Sequence, residues 1–365
     1  MRLMISGGGT GGHIYPALAL IRRLQERKLL DAIQYVGTPN GLESRIVPAA
    51  GIPFSTIELQ GFNRRNLFAN FRTVDLFLKA VHKAKAMVRE FQPDIVIGTG
   101  GYVSSALVYA AAREHIPTMI HEQNSIAGVT NKFLAHYVDK ILIAFPDAAD
   151  QFRQKDKIVL VGNPRAQEVA GLQPNARLAD FQLSPNRSTV LIFGGSRGAA
   201  PINEAVLSAL AEFGSQSYQV LFVTGNVHYQ NVLDQLGDKA VPNNVKIVPY
   251  VDDMPAILPD VTLLVGRAGA TSIAEITALG IPSILIPSPY VTHNHQTKNA
   301  SSMAQAGAAV MLPETALTDK TLLNAITAIM GDDDRQAKMK KATLALGHPH
   351  ASDDIIQLMQ DLIRA

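Results

Sequence analysis

Two stretches carry the same device: Leu3-Met4-Ile5-Ser6-Gly7-Gly8-Gly9-Thr10-Gly11-Gly12, and Val190-Leu191-Ile192-Phe193-Gly194-Gly195-Ser196-Arg197-Gly198. In each, a short apolar run meets a glycine loop and a helical pattern follows, so the second half of the chain restarts the first. Working outward, short apolar runs alternate with helical patterns. Strands are expected at Leu3–Ser6, Ile33–Val36, Ile95–Gly98, Thr118–His121 and Lys140–Ile143. A second series follows at Lys157–Val161, Thr189–Phe193, Gln219–Thr224, Val245–Pro249, Val261–Val265 and Ser283–Ile286. Helical patterns fill the gaps, at Pro16–Arg27, Leu67–Glu90, Ser104–Glu114 and Ser272–Ala278. This alternation predicts an α/β chain of two Rossmann-like domains, each a parallel sheet with helices on both faces. The boundary is expected near Gly162-Asn163-Pro164, giving domains 1–162 and 163–345. Two such domains facing each other would make a cleft lined by glycine loops.

Composition narrows the classes. With 47% hydrophobic and 18% charged residues, the 365-residue chain has a core to bury. Its lack of cysteine excludes disulfides, thiolate metal sites and a cysteine nucleophile, and suits the cytoplasm. The apolar run before Gly7 is too short for a signal peptide. The uncharged stretch between Asp94 and Arg113 holds Gly98, Gly100, Gly101, Ser104 and Ser105, and reads as strand, turn and helix rather than a membrane span. A net charge of +2 is no footprint for nucleic acid. The charge is uneven, however. Residues 1–160 hold 19 Lys+Arg against 13 Asp+Glu, and the remainder hold 14 against 18. The basic half invites an anionic partner.

The run Gly7–Gly12 formally contains G-x-G-x-x-G, but the second strand ends Tyr35-Val36-Gly37-Thr38 without the acid that would hold a dinucleotide ribose. NAD is therefore disfavoured, and no P-loop pattern occurs. Further glycine loops stand at Gly98-Thr99-Gly100-Gly101 and Gly266-Arg267-Ala268-Gly269-Ala270. Glycine admits the close approach of backbone amides to an anion, and a helix N-terminus adds partial positive charge. One such loop is as readily a mere tight turn; several together favour phosphorylated ligands. Glu275 lies about two turns into the helix after Gly269, placed either to bind vicinal hydroxyls or as a surface residue.

At this point a family resemblance enters. GGGTGGHIYPALAL (7–20), IGTGGYVSSALVYAA (97–111), HEQNSIAGVTNKFLA (121–135), VGNPRAQ (161–167), FGGSRGA (193–199), YVDDM (250–254), RAGATSIAEI (267–276) and HNHQTKNA (293–300) span the chain in order. In these the chain resembles the bacterial peptidoglycan N-acetylglucosaminyltransferases of glycosyltransferase family 28. The resemblance implies the glycosyltransferase-B fold, with a C-terminal segment, 346–365, returning to the first domain. It implies inverting transfer of GlcNAc from UDP-GlcNAc to the 4-hydroxyl of MurNAc in lipid I, making lipid II at the cytoplasmic face of the cell membrane.

Such chemistry needs a base for the acceptor hydroxyl, room for a cation-like sugar and charge stabilisation for departing UDP. His13, behind Gly11-Gly12, is the expected base, since an imidazole takes a proton near neutral pH. It is alternatively a ligand contact without proton transfer, or a helix-start residue packing locally. Glu122 and Asn124 are rivals for the acceptor side, though Asn124 can only orient. Ser196 and the amides of Gly195–Gly198 are expected at the diphosphate, with Arg165 a cationic aid on the second-domain side. By resemblance, Thr10, Gly11 and Gly12 contact substrate, Glu275 holds the ribose, Tyr250 and Val251 flank uracil, Ala270 and Thr271 offer backbone groups, and Gln296 reads the sugar. The chain departs from the family at Ala268, where serine is common, and at His295, where a second glutamine is common. Asp252-Asp253 and Asp332-Asp333-Asp334 are not placed like a metal-bridging D-x-D, so no obligatory metal or other cofactor is expected.

The segment Asn63–Arg89 carries Arg64, Arg65, Arg72, Lys79, Lys83, Lys85 and Arg89 among Leu67, Phe68, Phe71, Leu76, Phe77 and Leu78, against Asp75 alone. It suits contact with the anionic inner leaflet of the membrane, or an amphipathic helix packed on its sheet. Gly100-Gly101-Tyr102 is, by analogy, a place for the acceptor diphosphate. A diacylglycerol glycosyltransferase, a UDP-GlcNAc epimerase and a nucleotide-sugar binding module are the alternative readings.

Overall fold

The computed structural model describes residues 1–61, 69–291 and 294–365, with the backbone alone for 69–72. The chain divides into two compact units, Met1–Gln167 with His350–Ala365, and Glu168–Pro349. No described helix is long and apolar enough to cross a membrane.

The first unit is built on seven parallel strands: β1 (Arg2–Gly7), β2 (Ala32–Gly37), β3 (Phe54–Thr56), β4 (Ile95–Gly100), β5 (Thr118–Glu122), β6 (Lys140–Ile143) and β7 (Ile158–Leu160), in the order β3-β2-β1-β4-β5-β6-β7. The apolar run of β1 is buried on both faces, as a central parallel strand requires. Leu3 and Ile5 pack with Ile14 and Leu18 of helix Gly11–Glu26, while Met4 faces the opposite layer with Ala80, Ala84 and Leu107. That period of two sorts one strand between two cores.

The last helix, Ala351–Arg364, belongs to this unit and gives it Ile355, Ile356 and Met359. Asp353 fixes it: Arg23 donates through Nε at 2.9 Å and Nη2 at 2.8 Å, and Arg27 through Nη1 at 3.1 Å. Hydrogen bonds from Arg23 hold the Asp353 carboxyl at about 2. Gln167 accepts from the Asp353 amide at 2.9 Å, which keeps residues 163–167 with the first unit. The division therefore falls at Gln167, beyond Gly162-Asn163-Pro164.

The second unit has β8 (Thr189–Phe193), β9 (Gln219–Val223), β10 (Val245–Val248), β11 (Leu263–Gly266), β12 (Ser283–Leu285) and β13 (Ala309–Met311), all parallel, in the order β10-β9-β8-β11-β12-β13. In each unit the order reverses at the first strand, between β1 and β4 and between β8 and β11. Crevices open at the carboxyl ends of strands at such switch points. The glycine loops named above follow β1, β4, β8 and β11. Two strands escape the sequence reading, β3 and β13, each three residues long. The first helix starts at Gly11 rather than Pro16, with Pro16 inside it.

Candidate active site

The first unit's candidate site lies where β1 and β4 part. Gly7 has no room for a side chain, because a Cβ there would stand 2.0 Å from Thr99 Oγ1. That hydroxyl donates to the His13 carbonyl at 2.7 Å and ties the two loops together. The His13 ring lies against Gly100 and Gly101, whose φ values of +107° and +77° favour glycine. A Cβ on Gly100 would come within 2.8 Å of His13 Cδ2. His13 Nδ1 is 2.9 Å from the Gly8 carbonyl oxygen and 3.3 Å from Thr10 Oγ1. A carbonyl only accepts, so Nδ1 carries the proton and Nε2 keeps its lone pair. The helix behind His13 has no acid in its first turn, and its geometry leaves the amides of Gly11 and Gly12 unpaired.

The HEQN stretch sits on the end of β5. His121 is buried; its Nε2 donates to the Gly162 carbonyl at 2.8 Å and Nδ1 accepts from Gln123 Nε2 at 2.9 Å. Burial pulls its pKa down to about 4, so the ring is neutral. Glu122 is buried too and its oxygens are taken: Oε1 accepts from the Asn124 amide at 3.1 Å, Oε2 from the Gly128 amide at 2.9 Å and from Asn131 at 2.8 Å. It holds its own loop. Asn124 is half-buried beside it, its Nδ2 3.4 Å from Glu122 Oε1. Arg165, expected beside the diphosphate on the second-domain side, belongs to the first unit, with its guanidinium 5.9 Å from the ring centre of Tyr15.

Sequence reasoning missed the support beneath this loop. Glu43, fully buried, accepts from the Gly9 amide at 3.0 Å, the Thr38 amide at 3.1 Å and the Thr38 hydroxyl at 2.6 Å. Burial pushes its carboxyl up, but these hydrogen bonds outweigh it and hold the pKa below the ordinary range. Only the fold brings the glycines around it. A Cβ on Gly8, Gly37 or Gly41 would stand 2.2–2.7 Å from Glu43 atoms.

The second unit's candidate site lies where β8 and β11 part. Gly195 and Gly198 have φ of +97° and +74°, and the Gly198 amide donates to the Gly195 carbonyl at 2.8 Å, closing a tight turn. Ser196 and Arg197 at its tip are exposed. After β11, Arg267 is spent on structure, bonded to the Ile286 carbonyl at 3.0 Å and paired with Glu314 at 2.5 Å. Asn299, fully buried, donates to the Ala268 carbonyl at 3.1 Å and pins the loop from behind. Helix Ala270–Leu279 then begins with no acid in its first turn, so the amides of Ala270 and Thr271 head it unopposed. Glu275 is buried one turn further on. Val251 is buried and Tyr250 exposed. Gln296 Oε1 accepts from the Ser288 amide at 2.9 Å, which turns its NH2 outward as a donor. Asp253 caps helix Met254–Ile257, and Asp332 caps helix Asp333–Ala345 through the Arg335 amide at 2.9 Å, so both acidic runs have local structural work.

On the basic helix Ala69–Phe91, Phe77 packs against Tyr109 and Phe133, while Val74 and Leu78 stay exposed beside Lys79 and Lys83. Lys85 and Arg89 pair with Glu114 and Lys79 with Asp75. Arg64, Arg65, Leu67 and Phe68, the side chains of Phe71 and Arg72, and His293 lie outside the described residues.

Each unit thus carries a glycine loop and a helix N-terminus at a switch point, and comparison with known proteins gives the class, a glycosyltransferase. Residues 3–143 match the glycosyltransferase family 28 N-terminal domain and residues 189–357 its C-terminal domain. The chain belongs to glycosyltransferase family 28. It is 56% identical over 364 residues to the UDP-N-acetylglucosamine–N-acetylmuramyl-(pentapeptide) pyrophosphoryl-undecaprenol N-acetylglucosamine transferase of Latilactobacillus sakei, covering 99% of this chain and 100% of that one. The enzyme of the same name from Lactiplantibacillus plantarum is 54% identical, with both chains fully covered. Among solved structures, Acinetobacter baumannii MurG matches with a TM-score of 0.78 and 28% identity over 99% of each chain. The UDP-GlcNAc 2-epimerase of Neisseria meningitidis, bound to UDP-GlcNAc, shares the fold at a TM-score of 0.69 and 14% identity, covering 99% of this chain and all of that one.

Proposed function

We propose that this chain is the enzyme that moves GlcNAc from UDP-GlcNAc onto the MurNAc 4-hydroxyl of lipid I, inverting the anomeric carbon and completing lipid II. One observation carries the reading: end-to-end identity of 51–56% with several transferases of that single printed name. The epimerases share the fold at 13–14% identity, too distant to bear on activity.

The acceptor hydroxyl gives its proton to His13 Nε2 and attacks the anomeric carbon, while the C–O bond to UDP breaks with its electron pair on the diphosphate. Thr10, Gly11, Gly12, Asn124 and Arg165 line the first unit's share of the substrates. In the second unit, Ser196 and the amides after β8, with Ala270 and Thr271 heading their helix, take up the growing negative charge. Glu275 accepts from the ribose hydroxyls, the Val251 backbone meets the uracil, and Gln296 donates to the sugar. Charge stabilisation by amides and helix ends asks for no metal. Val74, Leu78, Lys79 and Lys83 form part of a face that rests on anionic lipid at the cytoplasmic side of the membrane.

One assay tests this. Purified enzyme is given labelled UDP-GlcNAc and lipid I in anionic or zwitterionic vesicles, with and without EDTA. Disaccharide formation, faster on anionic vesicles and largely retained in EDTA, is expected. Transfer to diacylglycerol alone, UDP-ManNAc formation without acceptor, or binding without turnover would each replace the reading. Complete loss in EDTA restored by a divalent ion would overturn the metal-free step.

A further inference from the structure

Glu43 does more than fill a gap beneath the loop. The amide it accepts from, that of Gly9 at 3.0 Å, belongs to the same peptide group as the Gly8 carbonyl, which lies 2.9 Å from His13 Nδ1. A trans peptide points its N–H and C=O in opposite directions. One planar unit therefore joins a buried carboxylate to the imidazole. Hydrogen bonds in such a chain polarise one another, most strongly away from water. The second carboxylate oxygen is held by both Thr38 groups, so the charge stays on station. Three glycines leave it room, at Gly8, Gly37 and Gly41.

We infer that Glu43 is a positioning residue for the base: acting through the Gly8–Gly9 peptide, it makes the Gly8 carbonyl a stronger acceptor for His13 Nδ1–H and so holds the tautomer whose Nε2 takes the proton. The arrangement is a carboxylate–histidine pair with a peptide group inserted between the partners. When the hydroxyl O–H bond breaks and the Nε2–H bond forms, the imidazolium charge is offset along the relay, and Glu43 stays ionised throughout. Two other titratable groups act on the relay: His121, which feels the charge of His13, and Tyr35 under Gly7, its hydroxyl donating to the Gly7 carbonyl at 2.7 Å. Tyr35 is pushed up by burial and by the Glu43 charge, and His121 is neutral, which leaves Glu43 the anion of the group.

The inference rests on His13 being the base, and the test separates the two. Glu43→Gln keeps the shape and removes the charge. Its kcat is expected to fall about ten- to a hundredfold, a share of what a positioned base supplies, while KM for UDP-GlcNAc stays within about twofold. The acid limb of its kcat–pH profile is expected to move to lower pH by on the order of half a unit, because His13 loses proton affinity. A fall in kcat with an unmoved limb reduces Glu43 to a loop support and overturns the relay. Should Glu43→Gln fail to fold, ¹⁵N NMR of the His13 ring in the unaltered enzyme decides. A neutral ring protonated at Nδ1 supports the relay, and one protonated at Nε2 overturns it. Full activity in His13→Ala overturns the base assignment itself. An inactive His13→Ala beside an unshifted Glu43→Gln overturns only the relay.

Discussion

The glycine loops after β1 and β8 are cut to one pattern and turned to different ends. Beneath the first lies a carboxylate, and a histidine ring lies on its neighbour, so its Gly9 amide and Gly8 carbonyl are already engaged. Above Gly195 of the second a Cβ would meet nothing within 4 Å, and the loop tip is exposed. No acid stands in the first turn of the helix that follows it. The same strand–turn–helix unit is filled from beneath in one copy and left open in the other, according to one buried residue contributed from elsewhere.

The sharpest way to break this contrast is His13→Ala. Turnover is expected to fall about 10²- to 10⁴-fold with little change in KM for UDP-GlcNAc. A rise in KM with unchanged kcat would make the first loop a donor cradle too. Next come the glycines. A Cβ on Gly198 would stand 2.0 Å from the Thr224 carbonyl at a φ of +74°, so Gly198→Ala should cost about 3 kcal/mol or more and weaken UDP binding. Gly9, at φ +80° with open space around it, should lose only about 1 kcal/mol as alanine. Thermal unfolding with and without UDP measures both, and equal losses would show that strain, not contact, sets the loops. Acid should then separate the units. Because the folded pKa of His121 is depressed, its contribution is present above the unfolded value of about 6.5 and is lost as pH falls toward about 4, a loss of up to ~3 kcal/mol. The first unit's unfolding transition should move over that window while the second's holds, and His121→Asn should flatten the movement.

Much of this was readable beforehand, for physical reasons that differ by element. β1, β4, β8 and β11 are central parallel strands, so their apolar runs are unbroken and glycine marks their ends. His13 was legible because it directly follows such an end. Glu43 was not, since its meaning arises only when β2 brings the following turn beneath β1. The strands β3 and β13 take their state from sheet neighbours rather than from pattern. Arg165 was given to the leaving group because Gly162-Asn163-Pro164 reads as a linker. The hydrogen bonds of Gln167 with Asp353 keep that stretch in the first unit instead.

The clasp of Asp353 on Arg23 and Arg27 also bears on how the polypeptide is made. The first unit takes part of its interior from a helix that follows the whole of the second unit, so its core closes only once Ala351–Arg364 has been synthesised.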